Sequence, residues 1–113
     1  MATYLIETEI DIRRQEGDDA DIVIEAPPFF DISGASVRFK VKGADGIIFA
    51  KDTIDCTILN QILSIPIAPI DTRGKAGKYR WELQFNKPAT FGTVTAGRGN
   101  FTIIAEQIKE TEL

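Results

Sequence analysis

A chain of 113 residues, 43% apolar and 27% charged, has the length and mixture of one soluble domain closing a single core, so a second domain is not expected. Its formal net charge of -4 argues against general affinity for polyanions, and nucleic acid is not an expected partner. The single cysteine, Cys56, excludes an internal disulfide, and the lack of any histidine excludes Ser-His-Asp and Cys-His chemistry and removes the commonest transition-metal ligand.

The stem "MATYLIETEIDIRRQ" meets charge at Glu7, before any apolar run reaches the length of a signal peptide or a membrane span. Neither is expected, and the cytoplasm of the producing cell is the expected place of synthesis. Ile6, Thr8, Ile10 and Ile12 alternate with Glu7, Glu9, Asp11 and Arg13, which predicts a first strand. "QEGDDA" is a turn around Gly17, and Ile22 and Ile24 carry a second strand that Pro27 and Pro28 stop by removing ladder donors. "PPFFDISG" is then a connection. Its Phe29 and Phe30 have two readings, an apolar anchor for a partner or a plug for one end of the core.

In "DISGASVRFKVK", Val37, Phe39 and Val41 face one way and Arg38, Lys40 and Lys42 the other, the period of a half-buried strand. Asp31 and Ser33 can bond nearby backbone and Gly34 can take φ above zero, so the four residues before the strand are a register-setting turn. "GADG" predicts a tight hairpin, with "IIFAK" returning beside the strand. "CTIL" and "ILSIPI" are short apolar strands parted by Asn60 and Gln61, and Pro66 puts the second at an edge or ends it early. "APIDTRGKAG" reads as a crossing loop with room for one helical turn. In "GKYRWELQF", Tyr79, Trp81, Leu83 and Phe85 form an inward row dominated by aromatics, which belongs at the centre of a core. "NKPATFG" makes a turn, "FGTVTAG" a short strand, "AGRGNF" a further turn, and "GNFTIIAE" a last strand with Phe101 and Ile103 inward. Residues 106–113 are a charged tail expected to fray. About seven to nine strands at roughly ten-residue spacing predict an all-β sandwich or small barrel spanning 1–113.

No constellation for catalysis, cofactor or metal emerges. Cys56 is most simply a small core residue, and Asp18, Asp19 and Asp21 read as a solvated turn, since they lack the glycine and distal glutamate of a calcium loop. "GKAGKY" fails as a phosphate loop because Tyr79 follows Gly77-Lys78 and Thr72 stands at the first glycine. The basic row Arg38, Lys40 and Lys42 is a solvated sheet face that Glu82 can partly neutralise across strands. The alternation around Tyr79 and Trp81 favours burial over an exposed sugar platform. The terminal strands, Ile6 to Ile12 and Phe101 to Ala105, are the expected open edges, because Pro66 weakens the other candidate.

The order of "IRRQEGDDADIVI", "DISGASVRFKVK", "LSIPIAPIDTRGKAGKYRWELQF" and "GTVTAGRGNFTI" resembles the immunoglobulin-like N-terminal domain of phage baseplate upper proteins and related small phage or prophage tail proteins. The matching signatures are Gly17-Asp18 before the second strand, Asp31 to Ala35 before a basic-faced strand, Ala76 to Tyr79 leading into an alternating strand, and Gly99 to Phe101 opening the last. "EAPPFF" replaces the polar hairpin usual before the Asp turn. The resemblance implies an immunoglobulin-like sandwich and a non-enzymatic structural or adaptor role in a virion tail or baseplate, by docking to other tail or baseplate proteins or to copies of itself. The alternative function is a carbohydrate-binding module, for which Phe29, Phe30 and Phe91 are the loop aromatics able to form a platform.

Overall fold

The computed structural model describes residues 8–105, and within them the period-two stretches become nine strands in two sheets packed over one core. β1 (Thr8–Glu9), β2 (Ile12–Gln15), β4 (Ser36–Gly43), β5 (Gly46–Asp52), β8 (Gly77–Lys87) and β9 (Gly92–Ile104) form the large sheet. The small sheet holds β3 (Ile22–Glu25), β6 (Thr57–Leu59) and β7 (Ile62–Ile65) in the order β3-β7-β6. In the large sheet β1 and β2 both run parallel to β9, which is followed by β8, β4 and β5, all antiparallel. That arrangement is an immunoglobulin-like β-sandwich: β4, β8 and β9 stand as strands C, F and G, β5 as the added C′, and β3, β6 and β7 as B, D and E.

The alternating rows fall where their period places them. Val37, Phe39 and Val41 are buried on β4, and Trp81, Leu83 and Phe85 on β8, where their registers set Val37 opposite Phe85, Phe39 opposite Leu83 and Val41 opposite Trp81. Phe101 and Ile103 are buried on β9. Tyr79, half-buried at the start of β8, donates its hydroxyl to the Lys75 carbonyl at 2.7 Å, the tyrosine corner of this fold. Trp81 follows two residues later, where antibody domains place the second cysteine of their inter-sheet disulfide. Apolar packing therefore occupies the centre: Phe39 lies 5.9 Å from Trp81 and 6.5 Å from Phe101, ring to ring.

Four crossings connect the sheets. Between β7 and β8 a short helix α1 (Pro69–Thr72) starts at proline, and the Asp71 carboxylate accepts from the Ala68 backbone at 2.8 Å. The same carboxylate meets Lys51 of β5 at 2.8 Å with both side chains largely covered. Fully buried Thr72 accepts from the Gly17 backbone at 2.9 Å, which ties α1 to the β2–β3 crossing. Before β4, Asp31 Oδ1 accepts from the Ser33 backbone at 3.0 Å and the Ser33 hydroxyl at 2.7 Å, and Gly34 sits at φ 73.

Several boundaries differ from the sequence expectation. "AGRGNF" is no turn: Gly97 and Gly99 lie inside one continuous β9. These glycines mark a shifted register opposite Leu83 and Gln84 and a close approach by another chain segment, both of which imitate a turn in sequence. Phe101 to Ile104 is accordingly not an open edge, because β2 pairs along it on one side and β8 on the other. β7 is the central strand of the small sheet, not an edge; Pro66 follows it and ends it at Ile65. The first strand is broken between Glu9 and Ile12, leaving Ile10 54% exposed, while Ile6 and the 106–113 tail lie outside the described residues.

That break is fixed by one crossing. The Trp81 indole N–H donates to the Ile10 carbonyl at 2.8 Å, Ile10 N–H donates to the Arg98 carbonyl at 3.0 Å, and a side chain at Gly99 would collide with Ile10 backbone. Trp81→Phe keeps most of the ring and leaves the Ile10 carbonyl without its donor, so it is expected to cost about 1–3 kcal/mol in denaturant unfolding. Trp81→Ala is expected to cost about 3–5 kcal/mol, and Gly99→Ala at least as much as Trp81→Phe. Parent-like midpoints for all three would remove Trp81 from the centre of the fold.

A second expectation concerns acid. Asp31 is held down to about 2 by the Ser33 hydroxyl, then the Ser33 backbone N–H and the Lys87 ammonium. A carboxyl depressed on folding stabilises above its ordinary pKa and loses that contribution as pH falls from about 4 toward 2. Asp31→Asn should flatten the acid limb of the melting-temperature profile in that window and leave the limb above pH 5 parallel to the parent's.

Candidate functional site

The two phenylalanines singled out in the sequence part company in the structure. Phe30 is buried, stacked on Phe91 at 4.5 Å and tilted against Phe85 at 6.3 Å, and so caps one end of the core. Phe29, its neighbour in the chain, is 66% exposed. Gln61 fixes the loop between them and the β6–β7 hairpin: its amide donates to the carbonyls of Pro27 and Phe30, both at 2.7 Å, while its own carbonyl accepts from Ala26 N–H at 2.8 Å. Phe91 is half-buried against Phe30, so the three loop aromatics present one exposed ring, Phe29.

The hairpin pinned beside Phe29 belongs to a sheet whose outer face carries three exposed aliphatic side chains. Leu63 and Ile65 of β7 and Ile22 of β3 point into the core. Of the six outward positions, Glu25, Thr57 and Ser64 are polar and three are apolar: Val23 is 62% exposed, Leu59 69% and Ile62 42%. Ile62 stands directly opposite Leu59 on β6 and opposite Glu25 on β3, and Val23 is its diagonal neighbour, opposite Ser64. The direct rows are Glu25–Ile62–Leu59 and Val23–Ser64–Thr57, so Val23, Ile62 and Leu59 lie along one diagonal row across the three strands, flanked by polar partners. Its lower end approaches the loop that carries Phe29.

The row continues round the edge of β3, whose outer side has no strand partner among the described residues. Between that edge and the β1–β2 break lies an apolar groove of about 350 Å³. Ile10, Ile12, Ile24 and Val23 form its walls and Trp81 and Leu83 part of its floor; Glu25 is the charged residue in its lining.

Sequence reasoning reached Phe29 and missed Val23, Leu59 and Ile62. The signal was present in "IVIE" and "TILNQILSI", where apolar residues occupy both parities of strands too short to be sandwiched on both faces. Reading these as short core strands hid the surplus. The remaining candidates stand apart from this surface. Asp18, Asp19 and Asp21 are exposed on the β2–β3 crossing. Arg38, Lys40 and Lys42 lie on the outer face of the large sheet, with Lys40 opposite Glu82. Cys56 is half-buried at the start of the β6 region and packs against the core.

No protein-family model matches the chain, and no curated protein matches it. Among solved structures, extracellular domains 3–5 of Drosophila OTK are similar to it, at 14% sequence identity over 85% of this chain and 32% of that one, with a TM-score of 0.34. The immunoglobulin-like assignment rests on the strand order and registers of the chain itself.

Burial raises the Cys56 thiol to about 11, and the neighbouring Asp55 carboxylate adds to the effect. The thiol is therefore neutral at physiological pH, and its alkylation at pH 7.5 is expected to run at least about tenfold slower in the folded protein than in denaturant. Equal rates in both states would show a thiolate that the surroundings described here do not stabilise.

Proposed function

We propose that this chain is a non-enzymatic structural or adaptor protein of a phage or prophage tail or baseplate, and that it works in the virion by docking onto other tail or baseplate proteins. The setting is supported by the four stretches that resemble the immunoglobulin-like domain of baseplate upper proteins. The means is supported by one observation above all: Val23, Ile62 and Leu59 exposed on the outer face of the small sheet, with Phe29 exposed on the loop that Gln61 ties to the same hairpin.

Such a surface suits protein docking. Its residues are aliphatic and lie on paired strands, so a partner can bury them with little loss of conformational freedom, and Phe29 adds the larger ring that hot spots favour. Glu25, Ser64 and Thr57 share the face with it and offer a partner hydrogen-bonding groups between the apolar contacts. A glycan site would call instead for several exposed rings held as a platform, where this loop cluster presents Phe29 alone.

The test is co-purification from a lysate that is assembling virions, with the captured proteins identified by mass spectrometry. Parent protein should retain named tail or baseplate components. Leu59→Asp and Ile62→Asp, which place a carboxylate on an already exposed face, should reduce that capture at least about tenfold with melting temperatures within a few degrees of the parent. Capture unchanged by either substitution would move docking away from this face. Retention on immobilised glycans that Phe29→Ala abolishes would replace the proposal with carbohydrate binding.

A further inference from the structure

The outer face of the large sheet is charged in a way the whole chain is not. Alternation with buried residues places Arg38, Lys40 and Lys42 of β4, Lys78 and Arg80 of β8 and Arg98 of β9 on it. The registers draw them together: Lys42 is opposite Arg80, Lys40 is opposite Glu82, and Glu82 is opposite Arg98. Among the described residues, Glu82 and Asp52 are the carboxylates of that face, and at its edge Glu9 reaches Arg80 at 3.4 Å and Asp11 accepts from the Asn100 N–H at 3.4 Å. Among the described residues six of the chain's 13 Lys and Arg thus meet four of its 17 Asp and Glu, in a protein of net charge -4. Lys40, Lys42 and Lys78 have no ion-pair partner among the described residues, and Arg38 meets Asp52 only at 3.8 Å with both side chains mostly exposed.

The complementary charge stands on the same molecule. The crossing from β2 to β3 carries Asp18, Asp19 and Asp21, all exposed and none in an ion pair among the described residues. α1 braces its first half, through Thr72 to Gly17 and through Gly74 N–H to the Glu16 carboxylate at 2.5 Å, so these carboxylates project from a held loop.

We propose that the basic outer face of the large sheet receives the acidic β2–β3 crossing of a second copy of this chain. Face and crossing are different surfaces, so the contact is heterologous: each copy donates a crossing and offers a face, and association continues beyond a dimer unless a ring closes. It uses a surface other than the Val23–Ile62–Leu59 row, and either reading can fail without the other.

Sedimentation of the purified chain at low and high salt tests this directly. At about 20 mM salt the average mass should rise with concentration, and at about 0.5 M, where charges are screened over a few ångströms, it should return to that of the monomer. Lys40→Glu/Lys42→Glu and, separately, Asp18→Lys/Asp19→Lys should each weaken self-association roughly tenfold or more. Mixed with each other, the two variants should associate again, because the reversed crossing now fits the reversed face. That swap shows both proteins to be folded and the contact to be specific. A chain monomeric at low salt overturns the proposal, as do variants that fail to rescue each other. Salt-resistant association abolished by Leu59→Asp also overturns it and assigns self-contact to the small sheet.

Discussion

The sandwich depends on how its first strand is allowed to sit against its last. Trp81 has to reach the Ile10 carbonyl across β9, and it can do so because position 99 has no side chain to hold the N-terminal segment away. A buried indole without a partner would carry the cost of an unsatisfied donor. Here the donor finds the one backbone carbonyl that the break between β1 and β2 frees from its ladder. The hydrogen bond, the strand break and the glycine are thus a single solution, and each of the three makes little sense alone. In antibody domains a disulfide spans the sheets at this position. In this chain the largest aromatic takes that position, packed against Phe39 and tied by its polar tip to the segment that completes the large sheet.

Stability concentrated in the large sheet gives the small sheet a different freedom. Three short strands with Ile22, Leu63 and Ile65 turned inward close their half of the core, and their outward positions are not needed for it. The two outer faces then diverge chemically. The large sheet shows lysine, arginine and a few carboxylates, which keep it in water and respond to salt; the small sheet shows valine, leucine and isoleucine among glutamate, serine and threonine, and burial of its aliphatic side chains by a partner would not be screened by salt. A protein built this way carries two surfaces whose contacts can be strengthened or weakened independently by ionic strength.

How much of this could be read in the sequence follows from which residues carry unambiguous periods. β4 and β8 are long and strictly alternating, so their inward rows were legible to the residue, whereas their pairing entered only as the condition for Glu82 to neutralise the basic row. The turn at Asp31 to Gly34 was equally plain, because its side chains bond locally and need no knowledge of the rest of the fold. β9 was not legible as one strand. Glycine inside a strand and glycine in a turn look alike until the partner that needs the space is known, and that partner lies at Ile10, far along the chain. The position of β7 was hidden for a similar reason: Pro66 announces where a strand ends but says nothing of what lies beside it. Of the candidate surface, Phe29 was visible as an apolar residue in a loop, whereas the Val23–Ile62–Leu59 row exists only once three strands are in register.

Phe29 and Phe30 show how burial at one position creates presentation at the next. Residues 27–30 form a turn closed by the Phe30 N–H donating to the Pro27 carbonyl at 3.0 Å, and with Phe30 stacked on Phe91 and tilted against Phe85, Phe29 is left exposed on that turn. Two hydrogen bonds from Gln61, to the carbonyls on either side of this pair, hold the backbone in place, and Gln61 itself belongs to the turn that joins β6 to β7. The exposed ring is therefore carried on backbone fixed by the same hairpin that carries Leu59 and Ile62. A ring on a free loop would surrender backbone entropy on docking; here most of that cost has been met in folding.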